Sequence, residues 1–493
     1  MIVTADGILL SHKEYSNFKQ LEADNLYLKN ELAQLKRMIF GQKSEKFIPT
    51  DGQLSLNFDN ETVQVTPSET EEISYTRKKN KPLQENHPVR QALPTHLPRV
   101  EIQLEPTQDV QNAKRIGEVV TEILEYTPGK LFVKKYIRPK YAMPQEEGIV
   151  IAPMPVLPIE KGNAGPGLLA HIMVSKFVDH LPFYRQAQIF KRQEVEIAES
   201  TINGWFSATC RLIEPLYFKL REEVMQSSYL MADESPIPVL TNDKPGATHK
   251  GYFWGYFSPP KNLIFFDYQK GRGREGPETF LKTYRGALQT DGYSAYDIYE
   301  TRPGITLLAC MAHARRKFDH AKDNDPKRAA HALGLFQKLY EIEAIARELS
   351  YTNEQRHQLR QEKSKPIMQE LEAWLIQEST NVLPRSAIGS AITYTIGLWK
   401  RLMRYLDNGM YEIDNNLIEN SIRPIALGRK NYLFAGSHEG AERAAMVYSF
   451  FGTCKKNQVE PYAWLSDVLD RIPEHKANRL AELLPHNWKQ NLK

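Results

Sequence analysis

Three carboxylates in this sequence have the surroundings to hold metal ions. Asp233 follows the apolar run YLMA, Asp291 follows ALQT, and Glu419 lies in NNLIENSIRP. The first two runs are strand-like, so two strands end at acids, while Asn415 or Asn416 could cap a helix ahead of the third. Asp233 poses a physical problem, because YLMADESPIPVL (229–240) otherwise reads as a buried strand. An ionised carboxylate is rarely buried alone, since losing its hydration costs more than a fold easily offsets. A metal ion, a nearby Arg or Lys, or water must compensate it. Carboxylates from two strands and a crossing helix can converge on a pair of divalent cations. Hard ions such as Mg²⁺ or Mn²⁺ take oxygen ligands and keep positions open for water and phosphate. Two of them about 3.5–4 Å apart activate a nucleophile on one side of a phosphorus and stabilise the leaving oxygen on the other. Glu234 points to the opposite side of its strand and is not counted as a ligand. The third position stays open among Glu412, Asp414 and Glu419 in YEIDNNLIEN. With a cap at Asn415 or Asn416, Glu412 and Asp414 precede the helix and can be solvated, and Glu419 falls about one turn inside. Arg423 then shares the face of Glu419 and could pair with it or hold a phosphate.

Basic residues crowd the same region. AHARRKF supplies His313, Arg315, Arg316 and Lys317; IRPIALGRKNYLFAGS supplies Arg423, Arg429 and Lys430, interleaved with Tyr432 and Phe434. Each cluster alone reads as a solvated face, but flanking an acidic site they suit a polyanion, with phosphates held by Arg and Lys.

An α/β core must position these groups. SYLMADESPIPVL, GYFWGYFS and NLIFFDYQ read as strands in meander, followed by helix GPETFLKTYRG, strand ALQTDGYSAY, strand ITLLAC and helix MAHARRKFDHA. That order predicts a mixed sheet covered by helices. The core is expected over 227–323 and 407–450, with 324–406 as an all-helical insertion (Leu335, Leu339, Ile342, Ala346 and Leu349 at helical spacing) and 451–493 as a C-terminal helical region. Residues 161–226 outline a helix-turn-helix-like region, with Pro182 suited to a first turn and Ser200 as an N-cap. Residues 99–160 alternate around a Pro-Gly turn and predict a small β-rich module, and the polar stretch 48–98 predicts a flexible linker. Over 1–47, Leu21, Leu28 and Leu35 fall seven apart with a lone Asn25 on the companion register. This pattern suits a parallel dimeric coiled coil, and equally an amphipathic helix packed on its own domain.

Composition narrows the class. A chain of 493 residues implies several domains, and 41% hydrophobic with 25% charged residues excludes a disordered or fibrous protein. The formal charge of +4 names no partner, so any nucleic-acid surface must be local. Cys210, Cys310 and Cys454 lie too far apart for a zinc spacing or disulfide framework. No signal peptide or membrane-spanning run is evident, so a soluble cytoplasmic protein without a membrane partner is expected.

Taken together, the motifs resemble the IS-sixty-six family of bacterial insertion-sequence transposases. The resemblance runs through FGQKSEKF, IGEVVTEILEY, VKKYIRPKYA, MADESPIPVL, GYFWGYF, LQTDGYSAY, CMAHARRKF and DNNLIENSIRPIALGRKNYLFAGSHEGAERAAMVYSFFGTCKKNQVEPYAWLSDVLDRI, in the family's order. It implies a ribonuclease-H-like catalytic core, Asp233, Asp291 and Glu419 as the catalytic and metal-holding D, D and E, and DNA as substrate. It also implies cleavage of element ends followed by strand transfer, and companion proteins from the same element. Family members usually carry zinc-ligating Cys pairs in the small β module. Here the matching stretches read EPTQDVQNAKRIGE and KYAMPQEEG, and Met143 and Glu146 cannot replace thiolates in a structural site, so no zinc is expected there. That departure supports a second reading, a catalytically inactive DNA-binding remnant of a transposase. A metal-dependent ribonuclease would share the chemistry but not explain the segments ahead of the core.

Overall fold

The computed structural model describes residues 162–241 and 246–488, and before them only 2–4, 7–9, 129, 131–137, 140–142, 149–151 and 155–160. The heptads of 14–42, the linker of 48–98 and most of the module of 99–160 therefore lie outside the described residues. The chain divides into two compact units, Lys46–Pro153 and the remainder. In the first, Lys140–Ala142 pairs antiparallel with Ile149–Ile151. In the second, Ile2–Thr4 pairs antiparallel with Gly7–Leu9.

Three helices open the described core: α1 (Pro166–Phe177), α2 (Phe183–Arg192) and α3 (Glu199–Met225). In α2, Phe183, Gln186 and Phe190 make a buried stripe at helical spacing. The expected cap at Ser200 is displaced: Ala198 is the extended residue before α3, so Ser200 falls inside the first turn. Glu199 there complements the positive end of the helix. In α3, Ile202, Phe206, Ile213, Leu216, Leu220 and Val224 are buried at helical spacing.

The sheet contains β1 (Tyr229–Leu240), β2 (Thr248–Ser258), β3 (Leu263–Gln269), β4 (Gly286–Thr290) and β5 (Ile305–Ala309). Its order is β3-β2-β1-β4-β5, antiparallel across the first three strands and parallel across the last two pairings. Helix α4 (Glu275–Phe280) precedes β4, and α5 (Met311–His320) leaves β5 directly. The segment 326–407 is helical: α6 (Pro326–Glu348), α7 (Asn353–Leu359), a π turn over Arg360–Ser364, α8 (Lys365–Ser379), α9 (Ala387–Gly397) and α10 (Trp399–Met403), ending in a short 3-10 turn. The chain then returns as α11 (Asn416–Tyr432), α12 (His438–Lys456) and α13 (Pro461–Arg471). Between α11 and α12, Ala435 adds a parallel bridge to Val239 at the far end of β1.

Edge strand β3 is covered rather than exposed. Ser449 Oγ accepts from Phe266 N at 2.8 Å, Thr453 Oγ1 accepts from Ile264 N at 3.3 Å, and Tyr217 OH donates to Phe266 O at 2.6 Å. Hydroxyls from α12 and α3 thus satisfy backbone groups that would otherwise invite another strand. The close approach needs Gly452, where a Cβ would lie 2.6 Å from Ile264 Cγ2.

Candidate active site

Sheet register places the first two acids. β1 pairs with β4 only over Tyr229–Met231, while its pairing with β2 continues from Met231 to Leu240. Asp233 is therefore a mid-strand residue, not a strand end as its sequence suggested. What ends there is the neighbouring strand: β4 stops at Thr290, and Asp291 follows in the gap. Asp291 is fixed by a turn in which its Oδ1 accepts from Tyr293 N at 2.8 Å, and its carbonyl accepts from Tyr394 OH of α9 at 2.7 Å. Gly292 turns the chain with φ 90°, where a Cβ would lie 2.7 Å from Leu398 Cδ1.

The third acid is placed by α11. Asn415 Nδ2 donates to Ala232 O at 3.1 Å, tying the helix start to the residue before Asp233. Asn415 N donates to Cys310 Sγ at 3.2 Å, and Met311 N donates to Ile413 O at 3.1 Å. Deeper in, the buried Tyr229 hydroxyl donates to Gln289 Oε1 and accepts from Glu412 N at 3.0 Å, while Gln289 Nε2 donates to Glu412 O at 3.0 Å. From this anchorage Ile418, Ile422 and Ile425 face inward. Ile418 Cδ1 lies 3.1 Å from where a Cβ on Gly255 would sit, and Gly255 is the β2 partner of Asp233. The first turn of α11 thus lies over the Asp233 side of the sheet, carrying Glu419.

Glu412 is partly buried and Asp414 buried, and both are held by protein groups. Arg356 donates to both oxygens of Glu412, at 2.9 and 2.7 Å. Asp414 is buried and accepts from Tyr340 OH at 2.9 Å, Asn416 N at 2.9 Å and Asn416 Nδ2 at 2.7 Å. Both carboxylates have structural partners from distant sequence or from the helix start itself. Glu419 instead offers Oε1 to His313 Nδ1 at 3.8 Å and Oε2 to Arg316 Nη2 at 3.9 Å; Arg423 makes no ion pair with it.

The electrostatics are those of crowded acids. Burial first, then the charges of Glu234 and Asp291, with Glu419 adding, push the Asp233 carboxyl well above the usual range, against one hydrogen bond from Glu234 N. Among the described residues no cationic side chain pairs with Asp233. Glu234, on the other face, has a buried side chain held by Arg272, whose Nε donates to Oε1 at 2.7 Å. The Arg272 guanidinium also lies 4.1 Å from the Tyr293 ring centre, beside Asp291. Sequence reasoning passed over Arg272; its signal was the GRGRE run after a strand.

The basic residues lie on two helices and differ in exposure. His313, Arg315 and Arg316 are partly buried on α5, and Lys317 is exposed with its Nζ 5.2 Å from the Tyr394 ring centre. Arg423 and Lys430 are exposed on α11, whereas Arg429 donates to Pro236 O on β1.

A family model described as Transposase IS66 family matches residues 161–443, one described as IS66 C-terminal element matches 449–486, and one described as Transposase C of IS166 homeodomain matches 27–102. A Sinorhizobium fredii protein, y4jD, described as uncharacterized, is 34% identical over 508 residues, covering 97% of this chain and 98% of its own. A second from the same organism, y4hP, also described as uncharacterized, is 32% identical, covering 94% of this chain and 89% of its own. With over half its length matched by one family model and near-complete coverage of relatives, the chain belongs to the IS66 transposase family.

Proposed function

We propose that the chain binds the ends of a bacterial insertion sequence and carries out metal-dependent DNA strand cleavage and strand transfer. The observation that supports this most is the gathering of Asp233, Asp291 and Glu419 in one electrostatic field beyond the end of β4, with no cation paired to Asp233 among the described residues. All three offer oxygen, and the buried Glu419 Oε1 accepts no hydrogen bond, a donor set that fits Mg²⁺ or Mn²⁺. When bound, the ions supply the charge that activates water or a 3′-hydroxyl and stabilises the leaving oxygen. In this reading Asp233 and Asp291 serve both ions and Glu419 one. His313, Arg315, Arg316, Lys317, Arg423, Arg429 and Lys430 hold backbone phosphates around them. The strand order with α11 crossing the sheet favours a ribonuclease-H-like core interrupted by the helical segment 324–406. The heptads of 1–47 favour a homo-oligomer, and accessory proteins of the same element are expected partners in the cytoplasm.

The test is nicking of labelled DNA carrying the element's own ends, by purified full-length protein with and without Mg²⁺. Cleavage should require Mg²⁺ and vanish in Asp233→Asn and Glu419→Gln while DNA binding persists. End binding without cleavage under any metal would select the inactive remnant instead.

A further inference from the structure

We propose that Cys310, His313 and Glu419 form a site for a borderline-soft divalent cation of the zinc class, and that its occupancy withdraws Glu419 from the catalytic acids. One ligand atom from each of the three side chains can be chosen so that all lie within 4.8 Å of one another. A zinc ion bound at about 2.0–2.3 Å to sulfur, nitrogen and oxygen requires only a modest inward adjustment of these atoms, with a fourth position left for water.

The thiol is held in a fixed place beside the other two side chains. Cys310 is fully buried at the residue preceding α5, and its Sγ accepts Asn415 N–H at 3.2 Å. Hydrogen bonds of this kind orient and steady metal-bound thiolates. Glu419 divides its oxygens: Oε2 faces Arg316, and Oε1 faces His313 as a buried atom accepting no hydrogen bond. That oxygen points into the trio. Among the described residues no other Cys, His, Asp or Glu group of three meets the same distance limit. The donor set differs in kind from Asp233 and Asp291, because sulfur and imidazole select zinc-class ions over Mg²⁺. Binding forms bonds from the ion to Sγ, an imidazole nitrogen and a carboxylate oxygen, releases the thiol proton to water and changes no oxidation state. The site is distinct from the β module, which lacks cysteine.

The binding claim stands without the transposase reading; the inhibitory consequence rests on it. Co²⁺ is the probe, titrated into the full-length protein and followed by its thiolate-to-metal absorption. One Co²⁺ per chain should give that absorption, Zn²⁺ should bleach it, and Cys310→Ser should abolish it. His313→Asn should weaken Co²⁺ binding by about 100-fold or more, since loss of a ligand exceeds the 10–100-fold typical of outer-shell changes. Asp233→Asn should leave the absorption intact. Absence of the band in the wild type, or its persistence in Cys310→Ser through Cys210 or Cys454, overturns the site. Its loss in Asp233→Asn does likewise, because the ion would then sit with the other acids. In Mg²⁺-supported cleavage, added Zn²⁺ should lower the rate of the wild type but not alter that of Cys310→Ser relative to its own zinc-free rate. Cobalt binding as described in a protein that never cleaves DNA upholds the site and counts against the transposase reading alone.

Discussion

Replacing Arg360 by Met should be among the most damaging single changes in the molecule, although Arg360 touches no candidate site residue. The side chain is fully buried and makes five hydrogen bonds: two to Glu343, at 2.7 and 2.9 Å, and three to the carbonyls of Tyr405, Asn408 and Tyr411, at 2.8 to 2.9 Å. Removing one partner of a buried ion pair costs about 3–5 kcal/mol. Glu343 keeps Arg356 at 2.9 Å, which favours the lower end. Each carbonyl stripped of its donor adds about 1 kcal/mol or more. The sum is about 6–8 kcal/mol, or roughly 12–16 °C in Tm at the 2 °C per kcal/mol suited to a large unit. Thermal unfolding of the full-length protein measures it. Glu343→Gln combined with Arg360→Met should be less damaging than the two singles added together, because the double variant leaves no orphaned carboxylate. Burial opposes ionisation of Glu343, but Arg360 and Arg356 outweigh it and hold the carboxyl below its ordinary 4.5. The pair's contribution is therefore complete above about pH 4.5 and fades as pH falls below it. A Tm loss under about 3 °C, or strict additivity in the double variant, would refute this account of the insertion.

Other outcomes follow from the acids and the basic clusters. Because the folded state holds the Asp233 carboxyl above its unfolded value of about 3.9, metal-free protein should lose stability as pH rises toward the folded pKa. Asp233→Asn should then raise the metal-free Tm at neutral pH and abolish the further rise produced by Mg²⁺; an unchanged Mg²⁺ response would remove Asp233 as a ligand. Glu419→Gln should abolish cleavage with little change in Tm, whereas Asp414→Asn should cost about 1–3 kcal/mol by disturbing the bonds from Tyr340 and Asn416. Cleavage surviving Glu419→Gln but lost in Asp414→Asn would reassign the third ligand. Neutralising Arg315, Arg316 or Lys430 should weaken binding to all DNA sequences alike and reduce the salt slope by about one per residue, as read by fluorescence anisotropy across salt concentrations.

Much of the core was legible because its signals are local. The strand runs at 263–269 and 305–309 are patterns within single segments. What could not be read was set by partners far along the chain. YLMAD looks like a strand reaching its end, yet β1 runs on; only the parallel register shows that it is β4 that stops, opening the gap at Asp233. Glu412 and Asp414 look like solvated loop acids, and nothing nearby in sequence announces Arg356 or Tyr340. These same distant partners engage Glu412 and Asp414 and leave Glu419 outside their bonds. Arg356 holds the side chain of Glu412, Tyr229 and Gln289 hold its backbone, Asp414 is spent on the helix start, and Asn415 is bound to Ala232. Each of these contacts fixes the chain before α11 and none engages Glu419. The helical segment thus bears on the acids through Glu412: Glu343 and Arg360 fix the backbone at 405–411, Arg356 fixes the next carboxylate, and the register of the first turn of α11 follows.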